Sequence, residues 1–244
     1  MFLRITVFFV LSYFLLLLLA VIQQATGVLP PEVGLPQWGP GLAALLMLVI
    51  FRKDNFKITW FSKETPGIRY WLAVLIPVGA GVLVYLISSW MQIEPSADSP
   101  KYGSLLTMLL WMPFGAIGEE LGWRGYLHKK LDTRFRGLLS SILVGLLWFP
   151  IHISFFSQGL LFVSILALLI ISYSIVIYAL VQDTGFSVVL ASGFHLFINI
   201  SNLLFLDIIY ETPLMLVNAL VWVMVAIIVV FMKKDLFLAP KEGS

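Results

Sequence analysis

The sequence predicts an all-α fold, a polytopic transmembrane helical bundle of about eight spans with both termini cytoplasmic. Three observations predict it. Of 244 residues, 60% are hydrophobic and only 11% are charged, whereas water-soluble domains run about 25% charged. Apolar runs of about 20 residues recur along the chain, and each is long enough to cross roughly 30 Å of hydrocarbon. Lysine and arginine, finally, gather on alternate loops, as cytoplasmic loops do.

The runs fall at 5–22, 35–51, 70–91, 105–121, 138–156, 160–181, 186–206 and 214–232. They are continuous, which favours helices over the short alternating segments of a barrel. The first could pass for a secretory signal, with Arg4 as its basic start. It runs into Gln23 and Gln24 without a small-x-small cleavage site, so we expect a retained span. Pro36, Gly39, Pro40 and Gly41 crowd the start of the second run and leave it a short apolar part. Arg4 precedes the first run; Arg52, Lys53, Lys57, Lys63 and Arg69 follow the second; Arg124, Lys129, Lys130, Arg134 and Arg136 follow the fourth; Lys233, Lys234 and Lys241 follow the eighth. The opposite side receives Lys101 with Glu32, Glu94, Asp98, Asp207 and Glu211. Cytoplasmic termini and an even number of spans follow together. The basic segment 126–137, with Tyr126, Leu127, Leu131 and Phe135 interleaved, reads as an interfacial connector resting on anionic headgroups. A single integral membrane domain over 1–244 accounts for the whole pattern, and the plasma membrane is its expected home.

Composition also excludes classes. With no cysteine there is no disulfide scaffold, no thiolate nucleophile and no Cys-ligated metal site. A net charge of +2 gives no case for nucleic acid. The partner to expect is the lipid bilayer itself.

Inside a membrane the informative residues are ionisable, because each is costly there unless it is paired or lines a wet cavity. In GAIGEELGWRGYL, 115–127, Glu120 and Arg124 are four apart and meet on one helix face as a partly buried pair. Glu119 is turned about 100° away and is expected to stay free to act as a base. Gly115, Gly118, Gly122 and Gly125 thin this helix and let another backbone approach. In WFPIH, Pro150 is expected to kink the helix and aim His152 inward. In HLFIN, His195 and Asn199 share one face, where two N–H donors can hold one oxygen atom. Each element alone has a bland reading: a snorkelling pair, a packed histidine, an interhelical hydrogen bond. Together they form a hydrolytic set on the motif-bearing core of about 103–206. Counted at 1.5 Å per residue from the cytoplasmic ends, Glu119 lies about 9 Å deep, His195 about 14 Å and His152 more than about 20 Å.

EELGWR resembles the EExxxR motif of the CAAX protease and bacteriocin-processing (Abi, CPBP) family of intramembrane glutamate proteases, which includes the eukaryotic Ras-converting CAAX endopeptidase. His152 occupies the second motif and His195 with Asn199 the third, in the family's order. The second motif is usually FxxxH, and here Trp148 stands in the aromatic position. The resemblance implies that Glu119 and His152 activate a water for attack on a peptide carbonyl. It implies further that His195 and Asn199 stabilise the oxyanion, and that Glu120 and Arg124 hold the site together. No cofactor is expected, and the implied substrate is a membrane-associated or lipidated peptide reaching a site open to the cytoplasm. The nearest rival is a zinc hydrolase on Glu119, His152 and His195, though no HExxH-type signature is present. Ser192 lacks a GxSG surround and Asp183 has no membrane partner, which disfavours serine and aspartyl intramembrane proteases. A scaffold or transporter is the non-enzymatic alternative, but the outer halves of the spans show no charged pathway. The oligomeric state is not encoded in these features.

Overall fold

The computed structural model describes residues 1–27, 29, 33–63, 65–93, 105–206 and 211–239. Among them the apolar runs have become helices. Six stretches are long and apolar enough to span a bilayer: Phe2–Thr26, Gly67–Trp90, Gly137–Gln158, Leu160–Thr184, Val188–Phe205 and Thr212–Met232. The chain is therefore a multi-pass helical membrane protein. Large apolar side chains such as Phe14, Val21, Trp71, Leu75, Leu168 and Ile227 are exposed, as a lipid-facing surface requires. Glu32, Glu94, Asp98, Lys101, Asp207 and Lys241, which carry part of the charge pattern, lie outside the described residues.

Backbone contacts divide the chain into two units. The first contains Met1–Pro66, Lys101–Lys130 and Val181–Leu196 as far as these are described. It holds α1 (Phe2–Thr26), α2 (Gly39–Ile50), α4 (Leu105–Gly122) and the start of α8 (Val188–Leu206). The weak second run is a helix of 12 residues, about 18 Å of α-helical rise and short of the hydrocarbon thickness. Gly34 in the left-handed region starts a 3₁₀ turn, Leu35–Trp38, that leads into it. α2 is instead packed against protein: Ala43, Ala44 and Met47 are buried. At Gly41 an added Cβ would stand 2.6 Å from the Gly118 carbonyl oxygen, and at Gly122 one would stand 2.5 Å from the Pro40 carbonyl. The glycine face of α4 thus admits a second backbone, as expected. Gly125 differs, since it meets the side chains of Val188 and Ile58.

α4 does not end at the basic connector. It continues through a π-helical turn, Trp123–His128, into the short α5 (Lys129–Asp132). Tyr126, Leu127 and Leu131 are buried in protein, not laid on headgroups. The continuing helix turns its apolar side toward Phe8 and Phe56, whose rings lie 5.1 and 5.0 Å from that of Tyr126.

A charge cluster ties the basic ends of this unit together. The Arg4 guanidinium meets Asp54 through both oxygens, at 2.6 and 2.5 Å, and Lys130 adds a contact at 3.2 Å. The Arg4 hydrogen bond, helped by Lys130, holds the Asp54 carboxyl below its ordinary value of 3.8. A carboxyl depressed in the folded state contributes stability above its ordinary value and loses that contribution as pH falls through the folded one. Melting in detergent should accordingly become acid-sensitive below about pH 4. Asp54→Asn should flatten that limb, and an unchanged limb would show that the cluster is not its source.

The second unit comprises Gly67–Pro100, Leu131–Leu180 and Phe197–Ser244 as far as described. It holds α3 (Gly67–Trp90), α6 (Gly137–Trp148), α7 (Leu160–Val181), the end of α8, α9 (Thr212–Met232) and α10 (Lys234–Leu238). Arg69 donates to the Leu180 carbonyl at 2.6 Å and Lys233 to that of Ala179 at 3.1 Å. Two cations thereby satisfy carbonyls at the C-terminal end of α7, where the helix dipole favours them. A Cβ at Gly145 would fall 2.7 Å from the Ile171 Cα, so α6 and α7 cross at backbone contact.

The fifth apolar run departs from a single α-helix. α6 stops at Trp148 and a 3₁₀ segment, Phe149–Gln158, takes over, with non-helical backbone at His152 (φ −84°, ψ 33°). Pro150 lacks the N–H that an α-helical turn would need, and the expected break occurs at this point.

Candidate active site

Within the first unit, α4 presents Glu119 and Glu120 and α8 presents His195, all three buried. Glu120 and Arg124 are both fully enclosed, with Arg124 Nη1 donating to Glu120 Oε1 at 2.7 Å. The pair was expected at this spacing but only partly buried. Its complete enclosure follows from the π turn, which carries Arg124 inward with Trp123 and Tyr126. His195 Nδ1 donates to the same Glu120 oxygen at 2.8 Å. One carboxylate oxygen therefore orients both a guanidinium and an imidazole, which fixes the histidine ring and directs Nε2 away from Glu120.

The difference in depth between Glu119 and His195 closes here. α8 begins where its first N–H groups are taken up by the chain, Val188 donating to the Thr59 carbonyl at 2.9 Å and Val189 to that of Trp60 at 3.2 Å. This docking of the 59–60 segment sets the start of α8 and brings His195 level with the carboxylates of α4.

Glu119 is not left free, contrary to expectation. The Gln37 carboxamide donates Nε2–H to Glu119 Oε1 at 2.9 Å. Tyr13 of α1 lies within electrostatic reach of the same carboxylate. Nothing in the spacing of EELGWR shows this, because Gln37 is 82 residues away. The available signal was a single amide among the prolines and glycines at the start of the second apolar run. His128 was likewise unassigned; it is fully buried on the π turn, its ring 5.4 Å from that of Phe186.

His152 and Asn199 belong to the second unit. His152 stands at the break after α6, its Nδ1 3.2 Å from the Phe149 carbonyl. Its ring centre lies 6.0 Å from that of Trp148 in an edge-on arrangement. Trp148, four residues before His152, thus packs against its ring. Asn199 follows His195 by one turn of the continuous helix α8. Among the described residues no group of three or more His, Cys, Asp or Glu is arranged to hold a metal ion.

Fold and site define a class: a multi-pass α-helical membrane protein with a buried carboxylate pair, an arginine and a histidine at its polar centre. Residues 101–201 match the family model described as type II CAAX prenyl endopeptidase Rce1-like. It is 28% identical over 200 residues to lysostaphin resistance protein A of Staphylococcus epidermidis, covering 78% of this chain and 51% of that one. It is also 28% identical over 173 residues to CAAX prenyl protease 2 of Methanococcus maripaludis, covering 66% of this chain and 60% of the relative. The chain thus spans about half the length of the first of these relatives.

Proposed function

We propose that this chain is an intramembrane endopeptidase that hydrolyses a peptide bond of a membrane-associated or lipidated peptide. The observation that carries the reading is the unequal treatment of two adjacent buried carboxylates. Glu120 is committed to Arg124 and His195, whereas Glu119 is bonded by a neutral carboxamide. Glu119 is the base in this proposal and takes a proton from the attacking water. The motif resemblance gives His152 the part of second partner to that water.

His195 acts on the other side of the reaction. With Nδ1–H given to Glu120, donation from Nε2 requires the imidazolium, which has N–H at both nitrogens. The carbonyl oxygen of the scissile bond gains negative charge in the transition state, where a fixed cationic donor stabilises it most. Asn199 supplies the second donor by its place in the HxxxN motif. As the bond breaks, the proton held by Glu119 passes to the leaving amine, and the free carboxylate and amine products result.

The charge pattern supports a cytoplasmic side for both termini and for the mouth of the site. A substrate delivered by a lipid anchor would arrive at that leaflet, and one relative is named a CAAX prenyl protease. The reading is tested by reconstituting the chain in vesicles with matched peptides, one farnesylated near its C-terminus and one unmodified. Cleavage of the anchored peptide, undiminished by a strong chelator, is expected. Loss of turnover that only added zinc restores would replace this mechanism with the zinc reading on Glu119, His152 and His195.

A further inference from the structure

We propose that Gln37 is a positioning residue for Glu119: its carboxamide, clamped between Gly34 and Gly115, holds the base carboxylate in its working orientation. This rests on the reading of Glu119 as the base.

The clamp is built by the chain around it. Gly34 (φ +60°) turns the backbone into the 3₁₀ turn Leu35–Trp38, and the Gln37 amide N–H donates back to the Gly34 carbonyl at 3.0 Å. Next along, the Trp38 indole donates Nε1–H to the Phe114 carbonyl at 3.0 Å, and its ring lies 4.9 Å from that of Phe114. Gly118 leaves room for this ring, since a Cβ there would meet it at 2.8 Å. The turn is thus anchored to α4 one residue from Gln37, which sets where the side chain of Gln37 can reach.

Two missing side chains then set its orientation. A Cβ on Gly34 would come within 2.2 Å of Gln37 Oε1, and one on Gly115 within 1.9 Å of the same atom. The amide oxygen occupies space that only glycine leaves at both positions, so Nε2 faces Glu119. The polarity is the required one, because a carboxylate accepts and cannot receive the amide oxygen. The bond engages Oε1 of Glu119 and fixes the plane of the carboxylate, and with it the direction of the remaining lone pairs. A base on a thinned, glycine-rich helix needs such a restraint, since a displacement of about 1 Å in a reacting group costs on the order of a hundredfold in rate.

A bond that only supported the fold would show in stability; one that orients the base shows in kcat. Gln37→Leu, close in size and without the donor, should lower kcat by about ten- to a hundredfold with KM within about twofold. Gly115→Ala reaches the same end sterically, because its Cβ displaces the flexible tip of Gln37 while the helix keeps its backbone. It should lower kcat comparably in the parent yet cost little more in a Gln37→Ala background. Additive losses, or normal kcat in Gln37→Leu, would overturn the assignment. Should Gln37→Leu fail to fold, the Gly115→Ala and Gln37→Ala cycle decides by itself. Glu119→Gln is assayed alongside: if it is inactive while Gln37→Leu turns over normally, only the positioning role falls. If Glu119→Gln retains turnover, the base assignment falls and the role of Gln37 with it.

Discussion

Glu119→Gln should abolish peptide cleavage, lowering kcat by about a thousandfold or more, while leaving the protein folded and the substrate bound. The replacement is nearly isosteric, and its amide oxygen can still accept the Gln37 Nε2–H that now reaches Glu119 at 2.9 Å. Packing and hydrogen bonding therefore persist, and what disappears is the ability to take a proton. General-base catalysis contributes about a hundred- to ten-thousandfold, and a base that also fixes the attacking water sits toward the upper end. Single-turnover cleavage and thermal melting of the same preparation separate the two effects. Full activity would remove Glu119 from the chemistry, and a large fall in melting temperature would show that the carboxylate is structural.

The parts of the site that could be read from sequence were those set by local geometry. Glu120 and Arg124 meet because four residues make about one helical turn, a rule that needs no knowledge of the fold. The break at His152 follows from Pro150, and the close approach of α2 to α4 follows from the glycines on α4. The bond of His195 to Glu120 joins residues 75 apart. Only the motif resemblance linked them, and it gave their company without their pairing. Gln37 carried no such signal. Its importance comes from a 3₁₀ turn docking on α4, a tertiary event that neither periodicity nor hydropathy records. The basic connector misled for a related reason: a charged, aromatic-spaced segment looks the same whether it lies on headgroups or turns its apolar side into protein. The π turn that makes the second choice has no sequence signature of its own.

Arg124→Leu should be the most destabilising single substitution in the site, costing about 3–5 kcal/mol because it leaves the enclosed Glu120 carboxyl without its guanidinium. Both members of the pair are fully inaccessible, and the Arg124 Nη1 to Glu120 Oε1 distance is 2.7 Å, so neither solvent nor salt can substitute for the lost charge. For a chain of this size the loss corresponds to a fall in melting temperature on the order of 10 °C. Arg124→Lys should recover part of it, since an ammonium restores charge but cannot reproduce the fork of the guanidinium. The decisive comparison is the double variant Glu120→Leu/Arg124→Leu. Removing both partners together removes the carboxyl left without its guanidinium, and apolar replacement of a buried ion pair is often neutral or stabilising. Melting temperature should return toward the parent. Turnover should not, because His195 loses the acceptor that its Nδ1 meets at 2.8 Å, and with it the orientation that points Nε2 at the developing oxyanion. Stability regained without activity would show that Glu120 serves the chemistry through His195 and the fold through Arg124. A double variant that regained both would reduce Glu120 to a counter-ion for Arg124, and a stable Arg124→Leu would mean that the pair contributes nothing to holding the unit together.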